Sequence, residues 1–366
     1  MIFGEPKMFV RQFVAVPVLV SLLVLPCLAG STVGEIPPED HREKIQQAIS
    51  KSVPFLIQEG EGWIEKRGCV SCHQVPFMLW SLDEAAKRGG DVDQSRLDHW
   101  KDWATQIDHF INPKNKADRT EAEGAAANID TMAQLLFILG EQTESEPPAW
   151  QQSFTQHLFD NRLPDGSWNA CGQLPFQKRP KDETTQVTTM WTLIALLRNG
   201  NTDSLDLSDP FLSQLLTPKG TSTEWWVTRL LLAKELGRLD GPPTIDVTEA
   251  RQLLLQFQQD DGGWGWKTSD PSDALATGMA LYALSQAEVK EIGPAISRAQ
   301  QFLIETQTES GSWDVHSTKG KHQHQITDTA TYWGTAWAVI GLSSSLGEGD
   351  KYAEAPQRVK PQRISN

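Results

Sequence analysis

The residues with the clearest chemical use lie in one short motif, Gly68-Cys69-Val70-Ser71-Cys72-His73. In an exported protein, Cys-x-x-Cys-His is typical of covalent haem attachment, in which two thioether bonds hold the porphyrin and the histidine binds the iron. The motif therefore predicts haem c at Cys69, Cys72 and His73. Alignment with a later repeat places Cys72 and His73 in the first turn of a helix, where the positive helix end would lower a thiol pKa.

A second axial ligand is expected from segment 314–327, which contains His316, His322 and His324. This connection is longer than the equivalent one in other repeats, and in a closed ring the last repeat lies beside the first. One of the three histidines would then complete bis-histidine iron ligation. The alternative is a solvated polar loop. Met78 lies on the same helix as His73 and cannot reach the opposite face of the iron, so it is interpreted as a core residue.

A zinc site that uses the same cysteines is an alternative interpretation. Cys69, Cys72, His73 and Cys171 would form a tetrahedral Cys₃His set. That set uses every cysteine that remains after removal of the N-terminal segment. A redox dithiol is a weaker interpretation because no βαβ pattern surrounds the motif. Chance occurrence of the motif is a further alternative.

Residues 1–30 are interpreted as a signal peptide, because Lys7 and Arg11 flank an apolar run over 14–25 that is followed by small residues. The protein is therefore expected to be exported, to the periplasm or beyond, with a retained anchor as the alternative. The apolar run is short for a membrane span, so no span is expected after cleavage. A net charge of −14 argues against nucleic acid as a partner and leaves a redox partner or an apolar small molecule.

A Gln-x-x-x-Gly-x-Trp motif, the QW repeat, recurs along the chain. Full copies carry Gln258, Gly262 and Trp264, then Gln307, Gly311 and Trp313; Gly166 and Trp168 end a copy that begins with Arg162, and Trp63 ends a degenerate copy. The tryptophans are separated by about fifty residues or about twice that distance, which indicates a repeat architecture.

Each repeat is predicted to contain an outer helix, a turn and an inner helix. Ala250, Leu253, Leu254 and Phe257 form one apolar face of an outer helix, whereas segment 274–284 is apolar nearly all round and must be buried. The other pairs are predicted at 41–57 and 73–88, 95–111 and 126–141, 148–160 and 184–199, 208–216 and 222–236, and 294–306 and 328–344. The predicted fold class is all-α, an (α/α)6 toroid over 34–346 with a disordered tail at 347–366.

The repeats, together with Thr335-Ala336-Trp337 and the apolar residues that follow, resemble the terpenoid cyclase and protein prenyltransferase superfamily, in particular the C-terminal half of squalene-hopene cyclases. The resemblance implies that the QW residues are structural clasps, in which the indole packs on a neighbouring side chain and the glutamine caps the next helix. It also implies precedent for zinc at inner-helix ends, as in prenyltransferases and lanthionine cyclases.

Catalysis is left open, because the Asp-x-Asp-Asp acid of those cyclases is missing from this sequence. The nearest segment, Asp270 to Asp273, is interpreted as a helix cap. A third possibility is a module that binds an apolar ligand in a cavity. The rings expected to line such a cavity, which would equally serve helix packing, are Trp80, Trp191, Tyr282, Trp333 and Trp337.

Overall fold

Helices make up nearly all the regular structure of the chain. A computed structural model describes residues 38–70, 74–114, 120–140, 146–171, 174–202, 210–239, 245–286 and 292–347. These residues form 13 α-helices, with short 3₁₀ turns in the connections between them. The described residues make isolated β-bridges but no β-strand. The helices are α1 (Pro38–Arg67), α2 (Val75–Lys87), α3 (Gln94–Ala104), α4 (Glu121–Ala126), α5 (Ile129–Leu139), α6 (Ala149–Asp160), α7 (Lys181–Arg198), α8 (Pro210–Leu216), α9 (Thr223–Leu236), α10 (Val247–Leu255), α11 (Ala274–Ser285), α12 (Gly293–Thr306) and α13 (Asp328–Ser345).

The inner ring consists of α2, α5, α7, α9, α11 and α13. Each packs against the next, and α13 packs against α2, so the ring closes. Outer helices α3, α6, α10 and α12 each pack on the inner helix that precedes them, while α1 packs on both α2 and α13. The predicted all-α toroid is therefore confirmed. Helix α4 is an addition to the predicted pairs.

Inner helix α11 has almost no solvent-exposed face, because residues 274–284 are all buried. It lies unusually close to α13. A β-carbon built on Gly278 would lie 2.4 Å from the backbone of Trp337, and one on Gly341 would lie 2.5 Å from the carbonyl oxygen of Gly278. The two glycines allow this approach because they have no side chain in the interface.

The QW tryptophans join the two helices of their own repeat. In the two full copies and in the copy that begins with Arg162, the indole N–H donates to a carbonyl oxygen near the end of the outer helix. The backbone N–H of the same tryptophan donates to an inner-helix threonine. The pairs are Trp168 with Leu158 (2.6 Å) and Thr189 (3.1 Å), Trp264 with Leu254 (3.0 Å) and Thr277 (2.9 Å), and Trp313 with Leu303 (2.8 Å) and Thr335 (3.1 Å). These contacts leave the indole N–H groups satisfied in the core.

The QW glutamines join one repeat to the next. Gln258 Nε2 donates to the carbonyl oxygen of Ala295 in α12 at 2.8 Å, and Gln307 Nε2 donates to that of Ala48 in α1 at 2.8 Å. The second contact closes the ring between the last and first repeats. Ala48 lies well inside α1, so the glutamine binds the body of the next outer helix rather than capping its start. In the third copy Arg162 Nε donates to the carbonyl oxygen of Gly166 at 3.3 Å.

The predicted turn of the degenerate copy at 58–63 is wrong, because α1 continues through it to Arg67. Gly60 has a packing role here instead. A β-carbon at Gly60 would lie 2.1 Å from the sulfur of Met78, which is fully buried in α2. The glycine lets α1 and α2 pack tightly, as α11 and α13 do.

Aromatic side chains fill the centre of the ring. Trp80 lies 5.0 Å from both Tyr282 and Trp337, Trp191 lies 6.2 Å from Trp337, and all of these rings are at most 6% exposed. The rings predicted to line a cavity therefore pack mainly against one another. Edge-to-face contacts at such distances stabilise a core beyond the area that they bury.

Some predictions fall outside the described residues, namely the signal peptide at 1–30 and the tail after residue 347. Among the helices that are described, none combines the length and the apolar character that a membrane crossing requires.

Candidate functional site

Two hydrogen bonds fix the main chain at the start of the Cys-x-x-Cys-His motif. The indole N–H of Trp63, near the end of α1, donates to the carbonyl oxygen of Cys69 at 3.0 Å. The next residue, Val70, is fully buried, and its N–H donates to the carbonyl oxygen of His109 at 2.9 Å. Cys69 is thus held between α1 and the 3₁₀ turn Ile107–Phe110.

The thiol of Cys69 is only partly exposed, and burial raises its pKa. The positive charge of Arg67 and a hydrogen bond from Trp63 act in the opposite direction without reversing the effect. Helix α2 begins at Val75, with Gln74 as its N-cap, so Cys69 does not benefit from the helix end. The lowered thiol pKa predicted for the first helix turn concerns Cys72 and stays a prediction. Cys72 and His73 lie outside the described residues.

The chain leaves the motif at Gln74, which is fixed by the last repeat. The hydroxyl of Tyr332 in α13 donates to the carbonyl oxygen of Gln74 at 2.8 Å. Tyr332 is fully buried, and burial raises its pKa far above the ordinary value, so it is a permanent donor. The side-chain Oε1 of Gln74 is buried without a partner among the described residues. Both ends of the motif are therefore anchored.

A surface groove of about 710 Å³ runs beside the motif. Its walls are residues of α1 between Val53 and Lys66, with Gln74, Asp91 and Arg96. Trp63 and Gln74, which hold the two ends of the motif, both line it. The volume falls within the range of ordinary ligand sites, about 300–1,000 Å³.

His109 is the histidine that the structure ties to the motif. Its Nδ1 lies 2.7 Å from the carbonyl oxygen of Trp103, and its ring stacks on the Trp103 ring at 4.3 Å with an interplanar angle of 17°. Its side chain is 20% exposed. A hydrogen bond from Nδ1–H to a carbonyl oxygen leaves Nε2 as the acceptor, an arrangement that metal-binding histidines share. Nε2 itself lies 4.0 Å from Oδ1 of Asp108. Sequence reasoning missed this residue, which belongs to no motif.

Segment 314–327 folds against the third repeat. His316 is bridged to Ile326, which makes a short hairpin, and Lys178 N–H donates to the carbonyl oxygen of Thr318 at 2.7 Å. His322 and His324 have their described contacts within the segment, with Gln325 at 3.2 Å and Gln323 at 3.2 Å respectively. The predicted iron ligation by one of these histidines is not tested, because His73 lies outside the described residues.

Cys171 is engaged with α4 and α5. Its backbone N–H donates to Oδ2 of Asp130 at 2.8 Å, and its thiol lies 3.2 Å from the carbonyl oxygen of Ala126. Within the described ranges, no group of three or more His, Cys, Asp or Glu side chains is arranged to hold a metal. The predicted zinc set includes Cys72 and His73, which fall outside those ranges, so it stays a prediction.

Asp273 is a helix cap, as its position before α11 predicts. It caps α11 by accepting the N–H of Ala276 at 2.8 Å, and its other oxygen accepts the N–H of Trp266 at 2.9 Å. Asp270 pairs with Lys178 at 2.6 Å. Both carboxylates are therefore committed to structural contacts.

Sequence comparison gives short matches to two curated enzymes. A squalene-hopene cyclase of Bradyrhizobium diazoefficiens is 38% identical over 81 residues, covering 19% of this chain and 12% of that protein. A drimenyl diphosphate synthase of Streptomyces showdoensis is 35% identical over 60 residues, covering 16% and 11%. This chain thus spans about a tenth of the length of either relative. No known family model matches it.

Solved structures match over most of the chain. The type II terpene cyclase MstE from Scytonema gives a TM-score of 0.52 at 14% identity, covering 83% of this chain and 99% of that one. The fold is terpene-cyclase-like. A possible member of the GH105 family from Salmonella enterica gives 0.53 at 12% identity, covering 88% and 99%. Identities this low establish the shared toroid alone.

Proposed function

We propose that this protein is an exported toroid that carries covalent haem c at Cys69, Cys72 and His73 and exchanges electrons with a redox partner. The observation that carries the proposal is the anchoring of the motif at both ends, by Trp63 at Cys69 and by Tyr332 at Gln74. A chance Cys-x-x-Cys-His would need no such support. Haem bound there supplies reversible one-electron exchange.

The residues around the motif fit such a group. A groove of about 710 Å³ borders Trp63 and Gln74, so there is open space beside the motif. Lys66 and Arg96 lie on the groove wall among four carboxylates, and Arg96 is paired with Glu61. Burial raises the pKa of the Cys69 thiol, so this group is held as the neutral thiol.

His109 is the second axial ligand in this proposal. Its main chain is bonded to Val70, one residue beyond Cys69, and its ring is fixed by Trp103 with Nε2 as the acceptor. The histidines of segment 314–327 make their described contacts within the segment, and that segment is bonded to the third repeat. These contacts favour His109 over His316, His322 and His324.

The test is to produce the full chain, with its N-terminal segment, in a host that matures c-type cytochromes, and to record the pyridine haemochrome spectrum. The expected result is one covalent haem per chain in the parent protein and in Cys171→Ala. Cys72→Ala should lose the two-thioether spectrum. Cys171→Ala is a matched control because it removes a thiol outside the motif.

Absence of covalent haem from the correctly folded parent protein would end the proposal. Elemental analysis of the same sample decides the alternative, since stoichiometric zinc that is lost in both Cys72→Ala and Cys171→Ala would support the Cys₃His site. Cyclase chemistry is not part of the proposal, because this sequence has no Asp-x-Asp-Asp acid.

A further inference from the structure

A second site lies at the opening of the inner ring, where the N-terminal parts of α5, α7, α9 and α13 meet. A small cavity of about 40 Å³ is enclosed there. Its lining residues are Asp130, Gln134, Leu174, Gln177, Arg179, Val187, Trp191, Glu224, Thr318, Lys319, Thr329 and Trp333. None of these residues belongs to the haem motif, so this inference is independent of the proposed function.

Two of the four charged groups that line the cavity, Arg179 and Glu224, are paired with each other. Arg179 Nη1 donates to Glu224 Oε2 at 2.8 Å, and the two side chains are 1% and 7% exposed. Arg179 also donates to Thr184 and Ser222, at 3.1 Å and 3.2 Å. The indole N–H of Trp191 donates to Glu224 Oε1 at 3.3 Å. The positive and negative charges roughly cancel, and these donors are used within the protein.

The acceptors are not all used. Gln177 is 8% exposed, its Oε1 has no partner, and the residue lines the cavity. Gln134 Oε1, also buried, has no partner either. Asp130 accepts hydrogen bonds from Thr188 at 2.6 Å and from the backbone of Cys171 at 2.8 Å, which leaves lone pairs on a buried carboxyl group. A buried acceptor without a donor lowers stability unless something else satisfies it.

We propose that this cavity binds the hydroxyl-bearing end of a small neutral alcohol or polyol, whose O–H groups donate to Gln134 and Gln177. The carbon atoms of that end lie against the rings of Trp191 and Trp333, which form the apolar part of the lining. The volume admits only the end of a molecule. A neutral ligand matches a cavity whose charges cancel.

The experiment compares ethylene glycol, which donates O–H groups, with its dimethyl ether, which donates none. Saturation-transfer NMR on the folded full chain is expected to show binding of the glycol and not of the ether. Gln177→Leu is expected to abolish the glycol signal. It should also raise the melting temperature of the ligand-free protein by about 2 °C, because an unpaired buried acceptor is removed. Gln286→Leu, at the opposite end of the ring, is the matched control and should bind the glycol as the parent does.

Equal binding of glycol and ether, or equal glycol binding by the parent and Gln177→Leu, would overturn the proposal. So would preferential binding of ethylammonium, which would assign the cavity to a cation. If Gln177→Leu does not fold, Gln134→Leu carries the same expectation. A crystal of the parent protein soaked in the glycol provides the independent measurement: density for the diol against both glutamines supports the site, and water alone there rejects it.

Discussion

The indole of Trp63 and the main chain of Cys69 are joined by one hydrogen bond of 3.0 Å, which ties the last turn of α1 to the first cysteine of the motif. The same ring lies under the guanidinium group of Arg67, 5.4 Å from its centre. Trp63 therefore sets where the motif begins, although it lies in a helix and not in the turn that its QW-like spacing suggested.

Trp63→Phe tests this relationship, because phenylalanine keeps a ring and loses the N–H. We expect the free energy of unfolding to fall by about 0.5–1.5 kcal/mol, and haem occupancy to fall because Cys69 is presented less precisely. Urea unfolding and the haem-to-protein absorbance ratio measure the two effects. Trp150→Phe, in outer helix α6, should leave occupancy unchanged. An unchanged haem content in Trp63→Phe would show that the hydrogen bond does not serve attachment.

His109 gives a second prediction, which rests on the presence of haem. If Nε2 of His109 binds the iron, His109→Gln converts a low-spin spectrum to a high-spin one while the covalent attachment remains. The double variant His322→Ala/His324→Ala should keep the low-spin spectrum. Optical and electron paramagnetic resonance spectra of the oxidised proteins distinguish these results. If His109→Gln keeps a low-spin spectrum, His109 is not the second axial ligand, and the histidines of segment 314–327 become the candidates again.

Asp273 predicts a pH dependence of stability. It is fully buried, and burial raises its pKa from an ordinary value near 3.8 to about 6, although Ala276 and Trp266 donate to it. The folded state therefore holds this proton more tightly than the unfolded state, and the stabilisation present below pH 4 is lost as the pH rises to 6. Asp273→Asn keeps an oxygen for the N–H of Ala276 and cannot ionise.

Relative to Asp273→Asn, the parent protein should lose about 2 kcal/mol of unfolding free energy between pH 4 and pH 6. Urea unfolding of both proteins across that range measures the difference. Comparison with the variant is needed because Asp130 has a pKa raised to about 6 by burial as well, and contributes equally to both curves. A difference that is constant with pH would contradict the raised pKa of Asp273.

The fold was predictable because each repeat carries its own evidence. The outer helices show one apolar face, the inner helices are apolar all round, and QW spacing sets the period, so the closed ring followed from local patterns. The long α1 was missed for a non-local reason. Gly60 resembles a turn residue along the chain, but it is there to accommodate Met78 of α2, and that contact is not visible in the sequence.

The surroundings of the motif were less predictable than the motif itself. The sequence located Cys69 through its spacing, but the hydrogen bond from Trp63 and the contact with His109 depend on where α1 ends and where a 3₁₀ turn returns. The cavity at the opening of the inner ring shows the same limit more strongly. Asp130, Arg179 and Glu224 come from three different repeats and share no motif. They meet because the inner helices of consecutive repeats, α5, α7 and α9, pack side by side.

Gly311 provides the sharpest test of ring closure between the last repeat and α1. Its φ of 86° is in the left-handed region, and a β-carbon there would lie 2.1 Å from the carbonyl oxygen of Lys51 in α1. Gly89 has a similar φ of 82° with nothing nearby. Gly89→Ala should therefore cost about 1–2 kcal/mol, the backbone penalty alone. Gly311→Ala should cost clearly more, because α1 must move away from the last repeat and the Gln307 contact with Ala48 weakens. Urea unfolding of both variants measures the difference, and equal losses would mean that the seam between α12 and α1 tolerates displacement.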